Sequence, residues 1–398
     1  MDSLLHVQSL TTEAAWTALT KHGLPTVEPL GNRQDSALVT FVWRGDSLTR
    51  NVVVITPLTL LDFAGSILER LGHTDIWYRS FVLPTDARFT YRFAPNDNLV
   101  PFDRDTNMFA RFGTMRADPA NPEVFDMRAF GVMSILQLPR APSDSLTRSR
   151  AGAARGRVVK TIIKSRVLGE ERTIWVYTPP HYDRHAIRPY PVVVLMDGQS
   201  YQDLIPTPTI LDNLIDQGSI LPVIALFVDT PNQTRERDLN CNRTWETFIA
   251  AEVIPWLDQQ FRTARQPRDR VIGGYSLGGL AATCAALRHA DVFGNVIAQS
   301  GSFYRAPQGE PPEWAARRLA QVSRLPLRLY LSIGTYETAA IPSRDPSMLT
   351  ANRHLRDVLI ARGYPVRFVE LSSGHEHVAW RATLGRALEA VLRPRGSS

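Results

Sequence analysis

Gly274-Tyr275-Ser276-Leu277-Gly278 sets a serine between two glycines, where an apolar strand ending at Val271-Ile272 meets an alanine-rich helix, Leu277 to Leu287. That strand–turn–helix setting is what a nucleophile elbow requires. The turn is so sharp that side chains at the flanking positions would collide with neighbouring backbone, which explains the glycines. Ser276 would project above a sheet at a helix N-terminus, where developing negative charge is favoured. The chemistry predicted is acyl transfer through a covalent serine ester. A glycine-rich packing turn with an idle serine is the alternative, so the motif alone only nominates Ser276.

A serine hydroxyl needs a base to become nucleophilic at neutral pH. The chain has nine histidines, and position selects among them. Val366-Arg-Phe-Val-Glu-Leu371 reads as a strand, and Ser372-Ser-Gly-His375 is the loop leaving its C-terminal end, the edge where open α/β sheets gather their catalytic groups. His375 also follows the serine in the chain, as the expected order requires. His377 competes, but it falls at the start of the following helix. The residue that orients the imidazole should lie between serine and histidine. Glu337, after the strand Leu327 to Ile333 and the turn Gly334-Thr-Tyr, has that place, and Asp345 later in the same loop is the alternative acid. If Glu337 is a plain solvated carboxylate, a Ser–His dyad remains.

Acyl transfer also needs two N–H donors for the oxyanion. Leu277 supplies one from its backbone. The second is expected from Asp197-Gly198-Gln199, the loop after the strand Val192 to Met196, with Gln199 ahead of Gly198 as the donor. An ordinary strand-ending turn is the competing reading of that loop.

The elements that must position these residues alternate from residue 157 onward. Val158 to Val167 and Arg172 to Tyr177 read as a hairpin, then come strands at Val192 to Met196, Val223 to Val228, Arg270 to Gly273, Val296 to Gln299, Leu327 to Ile333 and Val366 to Leu371. Helices are expected at Leu204 to Asp216, Trp245 to Phe261, Leu277 to Arg288, Ser347 to Arg362 and Val378 to Leu392. Apolar runs alternating with helical patterns imply an α/β domain with a mostly parallel sheet covered on both faces. The N-terminal part differs. Ser36 to Trp43, Asn51 to Thr56, Trp77 to Leu83 and Arg88 to Phe93 are rich in β-branched and aromatic residues, and Phe89, Tyr91 and Phe93 alternate with Arg88, Thr90 and Arg92. A small all-β, immunoglobulin-like sandwich follows. Ala141 to Arg155 is small, polar and flexible in composition. The predicted organisation is therefore a sandwich over 1–140, a linker over 141–156 and a catalytic α/β domain over 157–398.

Composition narrows the function further. The net charge of +6 rests almost wholly on arginine, because Lys21, Lys160 and Lys164 are the only lysines. Either genome composition or attraction of an anionic ligand accounts for it. The arginines are dispersed, which argues against nucleic-acid binding. No run reaches the ~20 apolar residues of a membrane span, and Met1 to Leu30 does not read as a secretory signal. Cys241 and Cys284 allow one bridge at most; Cys284 lies mid-helix, so a buried free thiol and a cytoplasmic setting are expected. No His/Cys/Asp cluster has metal-ligand spacing, so neither a catalytic metal nor another cofactor is expected.

Together these residues resemble the esterase D-like α/β-hydrolases, and within them the enterochelin (enterobactin) esterases. The likeness runs through Glu171-Arg-Thr-Ile-Trp-Val-Tyr177, Val194-Leu-Met-Asp-Gly198, Arg235-Glu-Arg-Asp-Leu239 with Cys241-Asn242, Gly273 to Gly279, Gln299-Ser-Gly-Ser302 and Gly374-His375 with Trp380-Arg381. Trp77 to Phe93 and Ala117 to Pro122 look like the sandwich domain that distinguishes enterochelin esterases from generic ones. The resemblance implies hydrolysis of the ester bonds of a ferric tri-catecholate trilactone, an anionic siderophore, inside the cell, with the iron belonging to the substrate. It also implies substrate-binding roles for Arg235, Asp238, Trp380 and Arg381, each of which could equally be a buried ion pair or a packing residue. Where the family carries a small acidic residue after the histidine, this chain has Glu376-His377. The rival expectations are a general carboxylesterase acting on aryl or feruloyl esters, and a non-hydrolytic siderophore carrier. The partner expected is a small molecule, with no nucleic acid and no membrane; the oligomeric state stays open.

Overall fold

The computed structural model describes residues 11–21, 23–339 and 346–392. The chain forms two compact units. One runs to Pro142 and takes in two later segments, Thr335–Ala339 and Leu371–Ala379; the other holds the rest.

The first unit contains β1 (Thr26–Leu30), β2 (Arg33–Arg44), β3 (Val52–Ile55), β4 (Glu69–Arg70), β5 (Ile76–Pro84), β6 (Arg88–Pro95), β7 (Val124–Asp126) and β8 (Val132–Gln137). They form two four-stranded sheets, ordered β1-β2-β5-β4 and β3-β6-β8-β7, with every pairing antiparallel. Val39 and Phe41 of β2, Val52 and Val54 of β3, and Phe89, Tyr91 and Phe93 of β6 fill one core, as the alternation predicted. Arg88, Thr90 and Arg92 on the opposite face of β6 are buried as well, whereas antiparallel sheets commonly leave the polar face of such an alternation solvated. Arg92 Nε donates to the carbonyl of Val132 at 2.9 Å, while Arg88 and Thr90 meet the returning segment Leu371–Ala379.

The second unit is built on an eight-stranded sheet: β9 (Arg157–Lys164), β10 (Glu171–Thr178), β11 (Val192–Leu195), β12 (Ile224–Val228), β13 (Arg270–Tyr275), β14 (Asn295–Gln299), β15 (Arg328–Gly334) and β16 (Val366–Leu371), ordered β16-β15-β14-β13-β11-β12-β10-β9. The expected hairpin β9–β10 is present, and β12, β11, β13, β14 and β15 run parallel. Strands β11 to β14 are buried along their whole length, the texture of a sheet covered on both faces.

Several local expectations are corrected. The helix expected from Leu204 begins at Thr207, after a separate short helix Gly198–Asp203. The helix expected over Trp245 to Phe261 is Arg243–Thr247, a wider π turn Phe248–Val253, then Ile254–Gln260. Pro255 lacks an N–H and breaks the regular ladder there, and the wide turn absorbs the mismatch. Residues 143–156 do not behave as a flexible linker. Asn213 Nδ2 donates to the carbonyls of Leu146 and Arg148, Arg150 pairs with Asp216 at 2.9 Å, and the Gly156 N–H donates to Asp212. Cys284 is not a free thiol: it is joined to Cys241 in a disulfide, Cα atoms 5.4 Å apart. The loop after helix Asn232–Leu239 brings Cys241 within bonding reach of helix Leu277–Arg288, a proximity that helical position alone does not reveal. Among the described residues no helix is long and apolar enough to cross a membrane.

Candidate active site

Strand β13 runs straight into Ser276, whose backbone sits at φ 55° and ψ −123° before helix Leu277–Arg288 begins. A non-glycine residue at positive φ stores strain that the surroundings must hold. Here the Ser276 N–H donates to the carbonyl of Gln299 at 2.9 Å and its carbonyl accepts from Ser302 and Leu280. The glycine requirement is explicit. A Cβ on Gly274 would lie 2.5 Å from the backbone carbon of Gly278, and one on Gly278 would meet the Asp197 carboxylate at 3.1 Å. Ser302 Oγ stands 3.5 Å from Ser276 Oγ.

The loop after β11 is equally constrained. Asp197 adopts a left-handed conformation at φ 55°. A Cβ on Gly198 would fall 2.5 Å from the backbone of Phe227, so only glycine lets the loop press against β12. The nearly buried Asp197 carboxylate accepts from the Thr230 hydroxyl and from Arg235 Nε and Nη2 at 2.7 and 2.8 Å. Such a bidentate pair fixes orientation as well as charge. Gln199 is exposed, with its amide nitrogen donating to Asp203 at 2.7 Å. Among the described residues, the backbone N–H groups of Leu277 and Gln199 donate to no carbonyl of the fold.

Behind the elbow, Trp380 stacks on Tyr275 with ring centroids 4.2 Å apart and planes 12° from parallel. Its indole N–H donates to Ser300 Oγ at 3.0 Å, and its carbonyl accepts from Gln299 Nε2 at 2.8 Å. Gln299 is completed by the Tyr201 hydroxyl and Thr383. Desolvation pushes the Tyr275 phenol well above its ordinary range. Trp380 is thus a packing platform for the elbow, and Arg235 is engaged by Asp197. Asp238 is buried and pairs with the buried Arg172 and with the exposed Arg237. Arg381 faces Asp144 at 3.3 Å and Thr147 at 2.8 Å. Asp238 and Arg381 are each engaged in an ion pair, one of the structural roles weighed against substrate binding.

His375 and Glu337 are brought together in the first unit. His375 Nδ1 lies 2.7 Å from Glu337 Oε2, with the Glu337 side chain only 2% exposed and that of His375 32%. The Thr335 N–H donates to the carbonyl of Leu371 at 2.7 Å and the Tyr336 N–H to that of Ser373 at 3.1 Å, so the two loops are zipped along their length. With Nδ1 held by a carboxylate, acid–base work falls to Nε2. His377 instead stacks on Phe125 of β7, ring centroids 6.3 Å apart. Asp345 lies outside the described residues. Glu376 is partly buried, and its carboxylate is bonded to Thr90 of β6. Sequence reasoning did not link Thr230, Ser302 or Thr90 to the site; Ser302 alone carried a signal, in Gln299-Ser-Gly-Ser302. Among the described residues no group of three or more His, Cys, Asp or Glu side chains is arranged to hold a metal ion.

A strained serine between strand and helix on a mostly parallel sheet defines an α/β-hydrolase, and the comparisons make it an ester hydrolase. The family model described as "Putative esterase" matches residues 165–391, and that described as "Enterochelin esterase, N-terminal" matches residues 38–146. The chain belongs to the esterase family so described, and its N-terminal part carries the domain found in enterochelin esterases. The iron(III) enterobactin esterase of Dickeya dadantii (strain 3937) is 28% identical over 417 residues, covering 94% of this chain and 91% of that protein. The crystal structure of ferric enterobactin esterase from Salmonella typhimurium superposes with a TM-score of 0.78 at 26% identity, over 95% of this chain and 98% of that one. The enterobactin esterase from Shigella flexneri, crystallised in the presence of enterobactin, gives 0.76 at 25% identity, over 96% and 98%.

Proposed function

We propose that the protein hydrolyses the ester bonds of a ferric tri-catecholate trilactone siderophore in the cytoplasm, with Ser276 as nucleophile. His375 Nε2 takes the serine proton as Oγ attacks a lactone carbonyl. Glu337 holds the imidazole through Nδ1 and stabilises the imidazolium. The N–H groups of Leu277 and Gln199, or Gly198, receive the oxyanion. Collapse expels a serine hydroxyl of the trilactone, protonated by His375, and leaves an acyl-Ser276 ester that water cleaves by the same proton route. Arg235 and Trp380 serve this chemistry by bracing Asp197 and Tyr275. The complex is anionic, which gives the arginine excess a use, and cutting the trilactone weakens its hold on iron.

The observation that carries the substrate is the likeness to iron(III) enterobactin esterases over almost the whole chain, N-terminal unit included. The test incubates the protein with ferric and iron-free trilactone and identifies products by mass. Catecholoyl-serine fragments are expected, and Ser276→Ala should release none. Hydrolysis of small aryl esters without any trilactone cleavage would return the protein to the general carboxylesterases.

A further inference from the structure

Strand β6 is only half covered on one edge. β3 pairs with residues Arg92 to Pro95, whereas β8 pairs along the other edge with Arg88 to Tyr91. The edge of β6 that β3 leaves open is closed by the loop that carries His375. The Arg88 N–H donates to the carbonyl of Ser372 at 3.0 Å, and two residues on, the Thr90 N–H donates to Glu376 Oε2 at 2.7 Å. The period of two is that of a strand ladder, with a side-chain carboxylate standing in for the second carbonyl. Thr90 Oγ1 donates to the same oxygen at 2.6 Å. Glu376 Oε1 accepts from Ser373 Oγ at 3.2 Å and from the Gly374 N–H at 3.3 Å, so one carboxylate ties the strand to the turn before the histidine. Around it, Ser372 Oγ donates to Asp86 at 2.7 Å, and a Cβ on Gly374 would lie 2.6 Å from Pro57. His375 is therefore presented by a loop fastened on both sides to the N-terminal sandwich.

We propose that Glu376 is a positioning residue which, through Thr90, makes the sandwich unit set the orientation of the histidine base. This rests on the assignment of His375 as base to Ser276. Where the sandwich is loosened at Thr90, the imidazole loses registration even toward esters too small to touch that unit. A misplacement of about 1 Å at a catalytic group is able to cost on the order of a hundredfold in rate.

The experiment uses the full chain and a small aryl ester, with kcat and KM measured for His375→Ala, Glu376→Ala, Glu376→Gln, Thr90→Val and Glu376→Ala/Thr90→Val, each checked for folding by thermal melt. His375→Ala should lose nearly all turnover. Glu376→Ala should lower kcat by about a hundredfold with KM within about twofold. Glu376→Gln keeps an acceptor for Thr90 and should restore most of kcat. Thr90→Val should lose less than Glu376→Ala, in kcat again, and the double variant should be no worse than Glu376→Ala, because both remove one linkage. If Glu376→Ala does not fold, Thr90→Val and Glu376→Gln decide alone. Full kcat in Thr90→Val, or a lowered melting point with unchanged kcat in Glu376→Ala, overturns the positioning role while leaving the histidine assignment intact. Substantial turnover in His375→Ala overturns both.

Discussion

Glu337 Oε2 and His375 Nδ1 are 2.7 Å apart, and the carboxylate is almost wholly shielded from water while the imidazole keeps about a third of its surface exposed. A shielded carboxylate on one ring nitrogen fixes tautomer and rotation, leaving the opposite nitrogen to exchange protons at the open side. The prediction is that Glu337→Gln lowers kcat for a small aryl ester by about a hundredfold or more while KM changes little, because the isostere presents the wrong hydrogen-bonding partner. Asp345→Asn should stay near wild type. Steady-state kinetics on the two variants decides the acid, and near-equal losses would deny Glu337 its role.

Arg235 and Asp197 make the second prediction. The resemblance alone makes Arg235 a substrate-binding residue, whereas its guanidinium is spent on Asp197 through two bonds of 2.7 and 2.8 Å. Arg235→Ala would leave a carboxylate that is 5% exposed without its charged partner. Breaking a buried pair by removing one member costs about 3–5 kcal/mol. A marked drop in melting temperature, accompanied by a fall in kcat as the Gly198–Gln199 loop loosens, is expected from denaturation and kinetic assays together. A variant with unaltered stability and only a raised KM for the trilactone would restore the substrate-binding role.

How far the sequence revealed this arrangement depends on the range of the interactions. The elbow was legible because its cause is local: a glycine two residues before Ser276 is forced by Gly278 four residues away, and apolar strands β11 to β14 announce themselves by composition. Elements that lack an apolar stripe were missed. Helix Asn232–Leu239 is almost entirely polar and is held by ion pairs such as Arg172–Asp238 rather than by a buried face. Strand β4 has two residues and β1 contains Pro29, so neither has a readable period. Least legible was the return of residues 335–339 and 371–379 to the sandwich. Thr90 and Glu376 are 286 positions apart, and nothing in the pattern of β6 said that its open edge would be closed by a loop from the far end of the chain.

The same carboxylate gives a pH dependence with a definite sign. Burial pushes Glu376 up to about 7 from an ordinary 4.5, against hydrogen bonds from Thr90, Gly374 and Ser373 that pull it down. The groups that donate hydrogen bonds to it, from Thr90, Ser373 and Gly374, are uncharged. Of the titratable residues nearest it, His375 is bonded to Glu337, His377 stacks on Phe125, and Asp86 accepts from Ser372. Between pH 4.5 and 7 the folded chain binds this proton more tightly than the unfolded chain does. Stability from Glu376 is therefore fully present below pH 4.5, falls as pH rises through that window, and is level above it. Glu376→Gln imitates the protonated form at every pH and lacks this slope, so the difference between the two proteins isolates this one carboxyl. Urea midpoints measured from pH 4.5 to 8 should therefore coincide for the two proteins at the acid end and separate progressively toward pH 7, with the variant the more stable. A constant gap across that range would mean that Glu376 remains ionised in the folded protein throughout, with its four hydrogen bonds outweighing its burial.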